Sequence, residues 1–375
     1  MKRQYWFFLI AGIYLVGFLG HALIVGKTVY GDGVYYYAWL RSVVVDGDIN
    51  FANDYAALGA SQQLTANGLL GNIYSVGPAL LWSPQFLWIH RLLNSDGFAL
   101  PYQLTVGITS IFYALFGLLL LYRTLAKFFS KTTAVLTVIT IAFATNLFFY
   151  GSLDAVNSHA LSFFAASLFL ALLKQPNTQP LLLGASVGLL ALIRPQDTLF
   201  GLLLLPRVNR KTILAIATGA ILAFLPQLLA WQTLYGKFWV SPYLDRGYGF
   251  NFLQPHLVEV LFSPKSGLIL WTPVIAVALV GLFLKGFPKP LNRWFILLLI
   301  FLQLYLVASW TTWWQGESYG GRMFISLLPL LSLGLATVFT RLRSLHMKPP
   351  GIVLSIILPL STINVLFMIY FLLTN

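Results

Sequence analysis

Residues 29–55 read VYGDGVYYYAWLRSVVVDGDINFANDY and hold four carboxylates, Asp32, Asp46, Asp48 and Asp54, in a chain of 375 residues with only ten Asp and Glu. Carboxylates gathered in so apolar a chain are candidates for proton transfer, metal ligation or contact with a polar substrate. Asp46-Gly47-Asp48 has the D-x-D form that holds a metal and a nucleotide diphosphate, and DGDINFAND imitates a calcium loop. Phe51, however, stands where such a loop needs its glycine, and Ala57 where it needs its glutamate. A polar turn is the plainer reading of this stretch, with Asp48 the candidate for acceptor or metal contact. Three other segments place acids and bases together: GSLDAVNSH with Asp154 and His159, the run Arg194-Pro195-Gln196-Asp197, and WWQGESYGGR with Glu317 and Arg322.

The elements that must position these residues are transmembrane. Hydrophobic residues make up 58% of the chain and charged residues 9%, far from the roughly 25% charged composition of soluble domains. The expected fold is all-α, a single polytopic transmembrane domain over residues 1–375. Spans are expected near 6–25, 101–122, 132–150, 158–173, 211–234, 267–284, 294–312, 323–340 and 351–373. A further apolar stretch at 180–205, interrupted at Arg194-Pro195, reads as a re-entrant hairpin or two short broken helices, giving about ten spans in all. The first apolar run is longer than a signal-peptide core of about 7–15 residues and reads as a retained span. Two segments of the first outer loop, 33–45 and 78–93, read as interfacial helices with Tyr and Trp at headgroup level.

Charge sets the sidedness. With the N-terminus inside, 15 of the 23 basic residues fall in inner segments. All ten acids fall in outer segments or, for Asp197, at the tip of the 180–205 hairpin. The net charge of +13 is therefore a topology signal and not a nucleic-acid footprint. The outer face, built from loops at 26–100, 235–266 and 311–322, is where polar chemistry is expected. The chain contains no cysteine, which excludes disulfides and thiolate metal sites.

This layout resembles the GT-C superfamily of membrane glycosyltransferases, nearest to the protein O-mannosyltransferase and aminoarabinose transferase group (glycosyltransferase family 39). The likeness rests on Gly31-Asp32-Gly33 with Tyr35 to Trp39 behind it, on Gly77-Pro78 opening the second interfacial helix, and on Arg194-Pro195. It covers roughly the first 200 residues in layout. It implies an inverting transfer of a sugar from a polyprenyl-phosphate donor to a hydroxyl of a glycan, lipid or protein. The reaction would occur on the outer face of a membrane, expected to be a bacterial inner (plasma) membrane. Relatives often carry a Lys beside a Pro-Pro pair where this chain has Tyr74-Ser75-Val76-Gly77-Pro78, so the donor phosphate must find its cations elsewhere.

Such a transfer needs a base, cations for the leaving phosphate and an apolar groove for the prenyl chain. Asp32 is the expected base, with capping of its own helix as the alternative. Asp154 is the second catalytic candidate, against a cap for a helix beginning near Asn157. For substrate or phosphate, the candidates are Arg194, His159, Asp48, Lys237, Arg246, Glu317 and Arg322. The alternatives are an Arg194–Asp197 pair, a Glu317–Arg322 pair and a hydrogen-bonded interfacial His159. No cofactor is required, although a divalent metal is compatible with the acidic loop. A different class of function, a transporter or flippase for a lipid-linked or polar solute, would use the broken Arg194-Pro195 segment as a midplane site.

Overall fold

The computed structural model describes residues 5–175, 177–289, 291–316 and 318–374. Among them the chain is all helical. In order the helices are α1 (Tyr5–Val25), α2 (Asp32–Arg41), α3 (Ala52–Leu58), α4 (Gly77–Leu93), α5 (Leu100–Leu125), α6 (Lys131–Phe143), α7 (His159–Leu173) and α8 (Pro180–Ile193). There follow α9 (Ile213–Tyr235), α10 (Leu257–Phe262), α11 (Leu268–Trp271), α12 (Val274–Phe283), α13 (Arg293–Ser309), α14 (Leu328–Ser344), α15 (Pro349–Ile352) and α16 (Leu358–Thr374).

Five stretches are long and apolar enough to cross a bilayer: Tyr5–Val25, Leu100–Leu125, Ile213–Tyr235, Arg322–Ser344 and Pro349–Thr374. At 1.5 Å per residue even the shortest matches a hydrocarbon core of about 30 Å. The chain is thus a membrane-embedded helical bundle. Every expected span is helical over most of its length, but α6, α7, α12 and α13 are shorter apolar helices. The span expected at 132–150 stops as an α-helix at Phe143 and resumes as a π turn over Phe149–Leu153. The one expected at 267–284 is split by Pro273, which follows the end of α11 and cannot donate to an ongoing helical ladder.

α14 is buried on all sides from Leu328 to Thr337, as a helix apolar around its whole circumference should be. Its neighbour α12 approaches it backbone to backbone. A Cβ on Gly281 would lie 2.0 Å from Gly334 O, and one on Gly334 would lie 2.0 Å from Ala278 O. In lipid, where apolar burial alone does not drive helix association, such close contact supplies the dispersion energy.

Residues 180–205 form one α-helix and a return. Pro195 ends α8 at Ile193, and the chain comes back as a 3₁₀ run, Pro195–Arg207, whose Arg207 donates to Leu173 O. The tip meets the 26–100 loop, with Ser75 Oγ donating to Ile193 O at 2.6 Å.

The first loop differs from expectation in one respect. α2 does not float at the headgroups, because Tyr36, Tyr37 and Trp39 are buried under α4 and the loop around it. α4 does leave an apolar face open, through Leu80, Leu87, Trp88 and Leu92. Arg41, also buried, closes the loop: Nη1 reaches Asp46 at 2.6 Å and Asp54 at 3.2 Å, and the guanidinium lies over Phe98.

The close α12–α14 crossing yields a stability prediction. Gly281→Val should lower the thermal unfolding midpoint of detergent-purified protein by an amount corresponding to at least about 1–3 kcal/mol, the usual overpacking cost. Gly12→Val on α1, where a Cβ meets nothing within 4 Å, should leave it unchanged.

Candidate functional site

Asp32 opens α2 after Gly31, whose φ of 53° puts the backbone in the left-handed region that glycine tolerates. Its side chain does not cap the helix. Oδ2 instead pairs with Arg322 Nη1 at 2.8 Å, and Oδ1 accepts from the Tyr74 hydroxyl at 2.7 Å. Gly33 fixes where this happens, since it touches the 154–158 turn so closely that a Cβ would lie 2.4 Å from Val156 O.

Arg322 is delivered by a loop that the bundle grips from three helices and turns. The buried Tyr319 hydroxyl donates to Asn364 Oδ1 on α16 at 2.7 Å. Asn146 Nδ2 donates to Gly320 O at 2.6 Å, and the Tyr150 hydroxyl to Tyr319 O at 3.1 Å. Arg322 Nη2 then donates to Gln315 O at 2.8 Å. Tyr74 is braced by stacking on Tyr35, ring centroids 5.0 Å apart. Burial and the Asp32 charge both push its phenol up, so it stays protonated and remains the donor.

Asp154 sits behind this pair and is bonded to the Tyr30 hydroxyl and Asn157. It caps nothing, because Asn157 Oδ1 takes the His159 N–H at 2.8 Å and does that work for α7. Desolvation, reinforced by the Asp32 charge and opposed by Arg322, pushes its carboxyl up to about 7.

Arg194 is buried, and its guanidinium contacts His159 Nδ1 and Met323 Sδ. A guanidinium has only donors, so His159 accepts at Nδ1. Among the described residues no carboxylate lies within ion-pair distance of Arg194. Asp197 is turned elsewhere, accepting from Ser326 Oγ at 2.8 Å and Gln303 Nε2 at 3.1 Å. The pairing expected from their spacing fails because Arg194 is extended (φ −146°, ψ 109°) and not helical.

Arg194, Tyr74, Tyr36 and Gln315 form the polar end of a cavity of about 630 Å³. Its remaining walls are chiefly apolar: Val187 and Ala191 of α8, Phe224 and Trp231 of α9, and Val307 of α13. Tyr243 and Trp239 of the 235–266 loop complete its lining. It opens beside α9, where the lining residue Ile221 is 58% exposed.

The structure therefore gathers Asp32, Asp154, His159, Arg194 and Arg322. It does not gather the others. Asp48 accepts from Ser42 Oγ and the Asn50 N–H, both at 2.9 Å, and belongs to a turn. Lys237 is exposed, Arg246 faces Tyr55 and Tyr235, and neither borders the cavity. Glu317 lies outside the described residues, and Arg322 has Asp32 as its partner. Among the described residues no three His, Asp or Glu side chains converge as a metal ion would require. Tyr74 and Gln315 were not anticipated. Tyr74 lies in the segment where a lysine is missing, and nothing in the local sequence singles out Gln315. No protein-family model, no curated protein and no solved structure matches this chain.

The raised Asp154 carboxyl has a signed consequence. A group whose folded pKa exceeds its ordinary value of 3.8 contributes stability that is complete below about pH 4 and is lost as pH rises through about 7. Thermal denaturation of wild type between pH 4 and 8 should fall in midpoint over that window. Asp154→Asn should flatten the decline, and an unchanged slope would remove Asp154 as its source.

Proposed function

We propose that the chain is an inverting glycosyltransferase that moves a sugar from a polyprenyl-phosphate-linked donor to a hydroxyl acceptor at the extracytoplasmic face of the membrane. The observation that carries this reading is Arg194, a buried cation with no carboxylate partner among the described residues, at the polar end of an otherwise apolar cavity that opens beside α9. A buried charge without a counter-ion is costly, and a ligand that brings an anion and a long apolar chain together satisfies both features at once.

In the proposed reaction the prenyl chain lies along α8, α9 and α13, and its phosphate meets Arg194 and Arg322. The acceptor O–H gives its proton to Asp32, and the acceptor oxygen attacks the anomeric carbon from the face opposite the phosphate. The bond from that carbon to the phosphate oxygen breaks, its electron pair leaves on phosphate, and the configuration inverts. Phosphate departs as an anion, so no general acid is needed. The Tyr74 hydroxyl holds Asp32 in place, and Asp154 sets the local charge behind it. In the proposed topology the five long helices and the shorter apolar ones make about ten spans, with the acidic loops outside.

Purified protein in nanodiscs should release free polyprenyl phosphate from one member of a panel of polyprenyl-phosphate sugars supplied with envelope acceptors. Asp32→Asn should reduce that release at least about 100-fold, the lower end of general-base contributions, when both proteins are assayed at a temperature at which each is fully folded. Equal release by both would remove Asp32 as the base. No release across the panel by folded wild type would overturn the transferase reading in favour of transport. Because the chain lacks cysteine, single cysteines at Ser61 and Lys265 should label from outside in intact cells, and those at Lys211 and Lys348 only after permeabilisation.

A further inference from the structure

Gln315 is out of place for an ordinary loop residue. It lies in the left-handed region at φ 62°, which a non-glycine residue occupies rarely and at a cost. It is also 4% exposed, and the residue borders the cavity. Its orientation is fixed by the backbone: Oε1 accepts the Met323 N–H at 3.1 Å, so the amide cannot be turned end for end without losing that bond. The Nε2 group is then left buried with no partner among the described residues. A buried donor without an acceptor is uncommon enough to require a cause.

The neighbours supply one. Gln315 O takes Arg322 Nη2, and Met323, whose N–H holds Gln315, also contacts Arg194 through its sulfur. The residue therefore bridges the two arginines. Arg322 Nε is likewise buried without a partner among the described residues. Donors on Gln315 and Arg322 that are unfilled among the described residues thus lie beside the Met323 contact of Arg194, a cation with no carboxylate partner among those residues. With Asp154 protonated, as its raised carboxyl favours, Asp32 balances Arg322, which leaves one positive charge, that of Arg194, for the ligand. One charge matches the single negative charge of a prenyl phosphodiester, whereas a diphosphate diester carries two.

We propose that Gln315 is a direct ligand of the donor's phosphate, its Nε2 completing with Arg194 and Arg322 a three-donor cradle suited to a prenyl monophosphate. This rests on the transferase reading for the identity of the ligand, but binding can be measured without any transfer. Trp231 and Trp310 line the cavity, so tryptophan fluorescence should report titration with undecaprenyl phosphate and, separately, with undecaprenol.

Gln315→Glu is the sharpest variant, because a carboxylate oxygen still accepts the Met323 N–H while the donor is replaced by an anion. Gln315→Asn tolerates the left-handed backbone and shortens the reach. Both should weaken undecaprenyl phosphate binding at least about 10-fold, the low end for a hydrogen bond to a charged group, and leave undecaprenol binding unchanged. Equal losses for the two lipids, no loss for either, or no phosphate preference in wild type would each overturn the cradle. Phosphate-selective loss in a protein that releases no sugar would leave the cradle standing and sink the transferase. Sugar release with unaltered binding in Gln315→Glu would do the reverse.

Discussion

The Asp32–Arg322 ion pair is the contact on which the loop end of the bundle is built. Both side chains are only partly exposed, Arg322 at 18% and Asp32 at 28%, and charges partly withdrawn from water are costly unless they are paired and their remaining hydrogen-bonding groups satisfied. Much of the local structure meets that demand on the carboxylate side. Tyr74 donates to the second oxygen of Asp32, and the Gly33 contact with Val156 leaves α2 no freedom to withdraw it. On the other side, Asn364, Asn146 and Tyr150 pin residues 319 and 320 so that Arg322 emerges at the right depth. A polar side chain from α16 and two from the α6–α7 connection thus serve a contact in which neither segment takes part directly.

Charge in an apolar chain is informative because it is expensive, and that made part of this site legible. The loop that opens with Asp32, the turn with Asp154 and the broken segment with Arg194 were each marked by ionisable residues that a bilayer would otherwise exclude. Partners were harder to read. Sequence proximity proposed Glu317 for Arg322 and Asp197 for Arg194, whereas the structure gives Arg322 a residue from the first loop and turns Arg194 away from Asp197 through an extended backbone. Spacing arguments assume a regular helix, and that assumption fails where proline breaks one. The acids at 46, 48 and 54 were a different problem. Composition drew attention to them, but Arg41 and Ser42 absorb them into the internal bracing of the loop. α2 was misplaced for a related reason, since its aromatic residues suit a headgroup layer and a packed interior equally well, and only the overlying α4 decides between them.

The pair also bears on when the proposed base would be free to act. The Asp32 carboxylate is held at 2.8 Å by the Arg322 guanidinium, so it must be released from that pair to reach an acceptor hydroxyl. A phosphate arriving beside Arg194 offers Arg322 a second anion, and an arginine shared between two anions holds each less tightly than one alone. Asp32 would then be freed from the pair as the donor settles. Without the donor it would stay locked to Arg322, and water at the cavity mouth would meet a carboxylate already engaged. Asp154 acts in the same direction: its carboxyl titrates near neutrality, and whenever it is ionised its charge adds to that of Asp32 and competes for Arg322. On this view the tight pair is the resting form of the site, and the apolar cavity beside it admits only a ligand that brings its own negative charge to loosen it.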